Sequence, residues 1–266
     1  MTSSISLRWP TRRGLPPLPF VVGIAALLAA LSFSARVVEL DLGKLAHSFV
    51  QLFVFAGNFF VTPDWAYLPD LFARMAETVG MALLATTIAL FASVPLAVLA
   101  ARNATPNIFV YRVARDFLSV VRALPELVWA LVFVSAVGLG PLPGVMALSV
   151  VTIGFMGKLF AESIEVVDRK AVEGVKVVGA RWFQLRIFAM LPQAMPDLIG
   201  TTMYIIDHNI RAAAILGIVG AGGIGFDMIE SMHLFRFARL ILITASIYVL
   251  VSLLDHISPW LREKVI

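Results

Sequence analysis

The sequence contains no cysteine and only four histidines, and both shortages restrict the chemistry that it can carry. Without cysteine there are no disulfides, thiolate metal ligands or cysteine nucleophiles. The histidines do not fall into an H-E-x-x-H motif or another metal-ligand spacing; they are His47, His208, His233 and His256. We therefore expect no metal site, no cofactor of its own and no catalytic residue in this chain.

Charged residues are also scarce, because they make up 14% of the 266 residues, whereas 60% are hydrophobic. Soluble domains are about one quarter charged, so this chain cannot cover a soluble surface. Residues 14–35, 78–101 and 127–157 carry no charge at all, and each stretch reaches the roughly 20 residues of a membrane helix. The composition excludes a water-soluble enzyme and predicts an all-α polytopic membrane protein. The net charge of +4 gives no reason to expect nucleic-acid binding.

Apolar segments bounded by charges or by Gly and Pro predict about six transmembrane helices. They cover residues 15–35, 76–101, 116–137, 144–161, 193–219 and 236–256. Residues 45–63 are a rival seventh span, since they carry no formal charge. Polar His47, Gln51 and Asn58 would share one helical face there, however, which favours a helix lying in the outer interface.

The distribution of Lys and Arg predicts which side of the membrane each loop occupies. With the N-terminus in the cytoplasm, the two tails and residues 102–115 and 158–192 hold 14 of the 21 basic residues. Cytoplasmic loops are enriched in Lys and Arg, so we expect both termini to be cytoplasmic. We divide the chain into residues 1–70, with the tail, first span and outer amphipathic segment, and residues 71–266, the core.

The cytoplasmic segment 162–192 is long, mixed in charge and placed between two predicted spans. Asp168 is expected to cap a short helix through residues 171–178, and Gly179 to end it in a left-handed turn. A second short helix would follow. This arrangement would expose four large apolar side chains and so invite a docking partner; they are Val172, Val175, Trp182 and Phe183.

The spacing of Glu173, Gly179 and Leu191-Pro192 resembles the EAA motif in the membrane subunits of binding-protein-dependent ABC importers. In that family the motif offers a coupling helix to the ATPase subunit. The chain departs from the usual pattern at Gly174 and Val175, where alanines are typical, and at Ala189, where isoleucine is typical. The alternative is an amphipathic linker that only joins two spans.

Two clusters of polar residues interrupt the predicted spans, and such residues usually face a cavity, a partner or a substrate. Arg122 and Glu126 flank a proline in the third span, and Asp207, Asn209 and Arg211 lie in the fifth. Arginines near a broken helix could favour the passage of an anion, which makes these five residues candidates for a translocation path. The alternative is that the two (i, i+4) pairs, 122 with 126 and 207 with 211, neutralise each other structurally.

Glycines crowd the end of the fifth span and include a formal G-x-G-x-x-G. A dinucleotide site needs this loop between a strand and a helix, and here it follows a membrane span, so we reject that interpretation. We expect a tight outer turn or gate with close helix packing. The residues concerned are Gly220, Gly222, Gly223 and Gly225.

Four segments together resemble the permease subunit of phosphonate-type ABC importers: RALPELVWALVFV, GLGPLPGVMALSV, GKLFAESIE and NIRAAAILGIVGAGGIG. The resemblance covers residues from about 70 to 260, and methionine-type permeases share a similar glycine-rich end. It implies a type I importer permease fold in the bacterial cytoplasmic membrane. It further implies two cytoplasmic ATPase subunits that bind ATP and Mg²⁺, an extracytoplasmic phosphonate-binding protein and a second permease copy or paralogue. The implied substrate is a phosphonate, phosphite or phosphate ester.

The sequence contains no Walker A motif, because Gly157-Lys158 is followed by Leu159 and the preceding Gly154 is too close. ATP hydrolysis would therefore need another chain. Two other classes stay open: an ion-driven secondary transporter, and an intramembrane enzyme with Asp207 and His208 as acid and base. No internal hydropathy repeat supports the first, and no paired carboxylates or ligand motifs support the second.

Overall fold

The computed structural model describes residues 18–57 and 61–265 as helices and their connections. It divides into two units, residues 1–60 and 61–266. The predicted N-terminal tail and the start of the first predicted span lie outside the described residues, as do residues 58–60 of the segment 45–63.

The N-terminal unit consists of α1, Leu18–Val37, and α2, Leu42–Gly57. Helix α1 has 20 residues, carries its only charge in the last turn and is long and apolar enough to cross a membrane. Helix α2 has 16 residues and begins where the Asp41 carboxylate accepts a 2.8 Å hydrogen bond from the Gly43 N–H. On its polar face, Nε2 of Gln51 lies 3.1 Å from Nε2 of His47. The ring of Phe49 contacts that of Phe53 edge to face. Whether α2 lies in the interface stays a prediction.

The second unit is a bundle of nine helices with short irregular turns, and its described residues contain no strand. In chain order the helices are α3 (Leu68–Ala100), α4 (Ile108–Ala123), α5 (Glu126–Val137), α6 (Pro141–Glu165), α7 (Arg169–Val177), α8 (Trp182–Leu185), α9 (Leu191–Leu216), α10 (Gly223–His233) and α11 (Phe237–Val265). Five helical segments of the described chain are long and apolar enough to cross a membrane, or six when the bent pair α4 and α5 is one span.

The third predicted span, residues 116–137, is not one straight helix. Helix α4 ends at Ala123, α5 begins at Glu126, and the two axes meet at 81°. Pro125 causes this break, because proline lacks an N–H and disfavours helical geometry in the residue before it. Leu124 accordingly has the extended ψ of 135°.

Helix α6 lies at the centre of the bundle and packs against α3, α4, α5 and α9. Helix α4 approaches it closely over two glycines: a Cβ on Gly154 would lie 3.1 Å from the Leu118 carbonyl, and one on Gly157 would lie 2.8 Å from the Leu118 side chain. Helix α3 presents a buried row of small residues, among them Ala82, Ala85 and Ala89. Small residues let membrane helices approach and gain dispersion contacts.

The glycines after α9 form one end of this bundle, which we call the glycine end. Gly220, Gly222 and Gly223 have φ angles of +86°, +79° and +70°, values that favour glycine. Helix α3 caps the start of α10, because the Glu77 carboxylate accepts from the Gly223 N–H at 3.1 Å and Thr78 Oγ accepts from the Ile224 N–H at 2.9 Å. The loop follows a helix rather than a strand, so a dinucleotide fingerprint has no structural basis here.

Substituting Gly225 by alanine should destabilise the bundle, because the added Cβ would collide with the carbonyl oxygen of Ala214, which is backbone and cannot rotate away. Overpacking of this kind costs about 1–3 kcal/mol. We expect Gly225→Ala to lower the thermal unfolding midpoint by several degrees, measured by differential scanning fluorimetry in detergent. The matched control is Gly80→Ala, an exposed glycine of α3 with no atom near the added Cβ. Equal midpoints for the two variants would contradict the close packing.

Candidate functional site

The segment 162–192 folds into the end of α6, the short α7 and α8, and a π-helical turn, Arg186–Met190, that continues into α9. The Asp168 carboxylate caps α7 by accepting from the Lys170 N–H at 2.9 Å. Helix α7 ends at Val177, and Gly179 adopts a left-handed φ of +85°. The expected pair of short helices joined at a glycine is therefore present.

The exposed apolar surface of this segment differs in part from the expectation. Val172 and Val175 are half-buried, and Val172 packs against the bundle core. The most exposed apolar side chains are instead Val177 and Val178, each 88% exposed, and Val166, 83% exposed. Phe188 is exposed as well, and Trp182 and Phe183 are exposed as expected. The prediction for Val172 and Val175 was wrong because only helix periodicity was considered, whereas α7 folds back onto the bundle. Glu173 is exposed and has no polar partner in the described chain.

The base of segment 162–192, around Glu165 and Arg186, is held by hydrogen bonds to the α3–α4 connection and to α4. Arg186 Nε donates to the Ala104 carbonyl at 2.9 Å, and its guanidinium lies 4.5 Å from the centre of the Trp182 ring. Glu165 accepts from the Arg102 N–H at 2.8 Å and from Arg115 at 3.4 Å. Leu191 and Pro192 begin α9 immediately after the π-helical turn. The segment thus has a fixed base and an exposed tip.

A cavity of about 180 Å³ lies where α4, α5, α6 and α9 meet. It opens at the break between α4 and α5, where helical backbone is interrupted. Irregular backbone at membrane depth is tolerated where it lines a cavity or is buried in protein. Six of the lining residues are polar or aromatic: Arg122, Glu126, Thr152, Phe155, His208 and Asn209.

Arg122 and Glu126 line this cavity from opposite sides of the helix break. The Arg122 guanidinium lies 5.1 Å from the centre of the Phe155 ring, in a cation–π contact. The break places Arg122 in the last turn of α4 and Glu126 in the first turn of α5. The alternative interpretation, an (i, i+4) ion pair, is therefore wrong for Arg122 and Glu126, and neither side chain has an ion-pair or hydrogen-bond partner among residues 18–57 and 61–265.

Asn209 forms the polar floor of the cavity and ties three helices together. Its amide donates to Thr86 of α3 at 2.9 Å, and its carbonyl accepts from Thr152 of α6 at 3.1 Å. All three side chains are buried. A satisfied network of this kind fixes the relative positions of the helices, because leaving one of its groups unpaired would cost roughly 1–3 kcal/mol.

Asp207 and Arg211 lie on a different face of α9 from the cavity. Residues 205, 208, 209 and 212 line the cavity, as the (i, i+3, i+4, i+7) spacing of one helical face requires. Arg211 instead pairs with Asp207 on its own helix and with Asp255 of α11 at 3.3 Å. The alternative interpretation holds for Asp207 and Arg211: they pair with each other, and the structure does not bring them to the cavity.

His208 and Phe155 complete the cavity, and sequence reasoning did not select them for it. The His208 ring stacks with Phe155 at 6.3 Å and with Tyr204 at 6.5 Å between ring centres. The position of His208 beside Asn209 could have identified it, had the cavity-facing side of α9 been known. Phe155 lies on α6, and no local motif marks it. No group of three or more His, Asp or Glu residues in the described part of the chain could hold a metal ion.

A second charged cluster, at the glycine end, was also missed. Arg74 of α3 contacts Asp227 of α10 at 3.2 Å and Glu77 at 2.8 Å. The Tyr67 hydroxyl donates to the same Asp227, and Arg239 of α11 pairs with Asp64 at 2.9 Å. These partners are far apart in sequence, and no local motif marks them. The cluster joins α3, α10 and α11 around the glycine turn.

The chain matches a family model described as binding-protein-dependent transport system inner membrane component, over residues 93–266. It is 40% identical over 247 residues to the phosphate-import permease protein PhnE of Mycolicibacterium smegmatis, covering 92% of this chain but only 46% of that relative. It is 36% identical over 240 residues to the putative phosphite transport system permease protein HtxC of Stutzerimonas stutzeri, covering 90% of this chain and 85% of the relative.

Among solved structures, a chain of the MetNI methionine ABC transporter superposes with a TM-score of 0.66 at 18% identity, covering 76% of this chain and 99% of that chain. At this identity the likeness concerns the fold, which is that of a type I ABC importer permease. The expected all-α fold and the resemblance stated from sequence are confirmed. The protein belongs to the family of binding-protein-dependent transport system inner membrane components.

Proposed function

We propose that this chain is the membrane-spanning subunit of an ATP-driven importer for a phosphonate or a related phosphorus oxyanion, such as phosphite or a phosphate ester. The observation that carries the proposal is the 36–40% identity, over at least 90% of this chain, to permeases named for phosphite and phosphate transport. The methionine alternative has weaker support: a relative named as a probable D-methionine transport system permease is 28% identical over 159 residues, and the MetNI chain shares the fold at 18% identity.

The proposed assembly contains two cytoplasmic ATPase subunits that bind ATP and Mg²⁺, an extracytoplasmic phosphonate-binding protein and a second permease copy or paralogue. This chain would supply the transmembrane path and no cofactor. We place it in the bacterial cytoplasmic membrane with both termini in the cytoplasm, because 14 of its 21 basic residues then lie inside. In this orientation α7 and α8 face the ATPases, and the glycine end faces the binding protein.

The tip of segment 162–192 is the proposed docking point for the ATPase. Glu173 and the strongly exposed Val177 and Val178 lie on and just after α7, and they combine a charge with an apolar contact surface. The left-handed turn at Gly179 sets the angle between α7 and α8. Leu191 and Pro192 then pass the movement into α9, the helix that carries the cavity residues His208 and Asn209.

Transport would proceed by alternating access, in which ATP-driven closure of the ATPases moves this segment and rocks the helices. The cavity lined by Arg122, Glu126 and Asn209 is the proposed translocation path. Asp207 and Arg211 would reach the translocation path only if α9 rearranged, since Arg211 pairs with Asp255 of α11 in this structure. The gating role of the glycine turn at residues 220–225 is likewise part of the proposal.

Reconstitution with the partner proteins tests the transport function. We expect proteoliposomes that contain the permease, its ATPase and its binding protein to accumulate methylphosphonate or phosphite only when ATP is present on the ATPase side. A Walker-motif variant of the ATPase is the control and should abolish uptake. Accumulation without ATP, driven by an ion gradient, would contradict the proposal and favour a secondary transporter.

Two substitutions test the docking role of the segment. Glu173→Lys reverses an exposed charge, and Gly179→Pro imposes a φ near −65° where the turn has +85°. We expect either variant to reduce uptake at least tenfold and to lower co-purification of the ATPase, with the permease still folded by size-exclusion chromatography. The control Glu39→Lys makes the same charge change at an exposed position of the N-terminal unit. Normal uptake in both variants would rule out the docking role.

A further inference from the structure

We infer that the cavity at the α4–α5 break is a subsite for a singly protonated phosphorus oxyanion, with Arg122 holding the charged oxygens and Glu126 accepting the P–OH hydrogen. This inference rests on the proposed function and adds to it a means of selecting among anions. It follows from the finding that the helix break separates an arginine and a glutamate without neutralising either.

Arg122 is suited to bind an anion because its charge is not consumed by a carboxylate. An arginine within a membrane span is costly to expose to lipid, so it is normally paired or exposed to a cavity. Here its guanidinium lies over the Phe155 ring, 5.1 Å from the ring centre. A cation–π contact is an attraction to the aromatic ring and occupies no oxygen acceptor, so the five N–H donors of the guanidinium stay available for the oxygens of a ligand.

Arg211 offers the opposite case within the same chain. Its guanidinium contacts two carboxylates, Asp207 and Asp255, so the cluster has a net negative charge and would repel an oxyanion. Arg115 is likewise shared between Glu162 at 3.7 Å and Glu165 at 3.4 Å. Unlike Arg211 and Arg115, Arg122 has no carboxylate partner in the described chain and lines a cavity, so its surroundings favour anion binding.

Glu126 gives the cavity its selectivity. An ionised carboxylate only accepts hydrogen bonds, so it repels an anion that has no proton to donate. Phosphate groups have a second pKa of about 6, so that a fraction of the molecules retains a P–OH group close to neutral pH. Sulfate carries no such proton there. A singly protonated phosphonate, phosphite or phosphate can thus satisfy Arg122 and Glu126 together, and sulfate cannot.

The rest of the cavity fits a small polar ligand. Its volume of about 180 Å³ is below the roughly 300–1,000 Å³ of sites for drug-sized molecules. Asn209 and Thr152 supply a buried polar floor, and His208 is held in place between two aromatic rings. Arg122, Glu126 and His208 are the charged or titratable groups that line the cavity in the described chain.

The inference is tested by anion binding to the permease–ATPase complex in nanodiscs, without the binding protein. The probe is methylphosphonate at neutral pH, observed by the broadening of its ³¹P signal. We expect the wild-type complex to broaden this signal and Arg122→Gln to weaken binding about tenfold or more, since a charge-assisted hydrogen bond is lost. The matched control is Arg112→Gln, which removes an exposed arginine from the same helix outside the cavity.

Competition by sulfate tests the role of Glu126. An equal concentration of sulfate should leave the broadening unchanged in the wild type and should reduce it at least severalfold in Glu126→Gln, where the repelling charge is removed. The ATPase activity of each complex verifies that the variant is folded. Wild-type-like broadening by Arg122→Gln, or equal competition by sulfate in both proteins, would overturn the inference. Neither result would affect ATP-dependent uptake by the wild type, so the proposed function is judged separately.

Discussion

Within a bilayer, a chain can leave helical geometry only where its freed backbone groups find a partner or a water-filled space. This constraint organises the whole core. The helical backbone is interrupted at Leu124–Pro125 and again at the glycine turn after α9. The first interruption opens a cavity, and the second is closed by side chains of α3 that receive the N–H groups of Gly223 and Ile224. Both interruptions border α6, against which α3, α4, α5 and α9 pack.

Three arginines of this core show two ways to hold a cation in an apolar setting. Arg115 is divided between two carboxylates of α6, and Arg211 is surrounded by Asp207 and Asp255. These pairs join helices and are structural. Arg122 alone among the three has an aromatic face in place of a carboxylate, which stabilises the charge by only about 0.5–2 kcal/mol and leaves its hydrogen-bonding capacity unused.

Much of this fold could be predicted from the sequence, because membrane spans and helix caps are local signals. The charge-free runs gave the spans, Asp168 and Gly179 gave the limits of α7, and the (i, i+4) rule gave the Asp207–Arg211 pair. The same rule failed for Arg122 and Glu126, because it assumes a continuous helix and Pro125 bends the chain by 81°. The cavity face of α9 and the Tyr67–Asp227 contact depend on which helices are neighbours, and a single sequence does not contain that information.

The π-helical turn at Arg186–Met190 joins α8 to α9 without a loop, so helical backbone runs from Trp182 to Leu216. At about 1.5 Å per residue this is a rod of roughly 50 Å. A rod of this kind acts as a lever whose fulcrum would be the Asn209 contacts to α3 and α6. A tilt imposed at its exposed tip then becomes a smaller displacement, in the opposite direction, at its far end next to the glycine turn. The two ends of the path would then move in opposite directions, so that closing one side of the membrane mechanically opens the other.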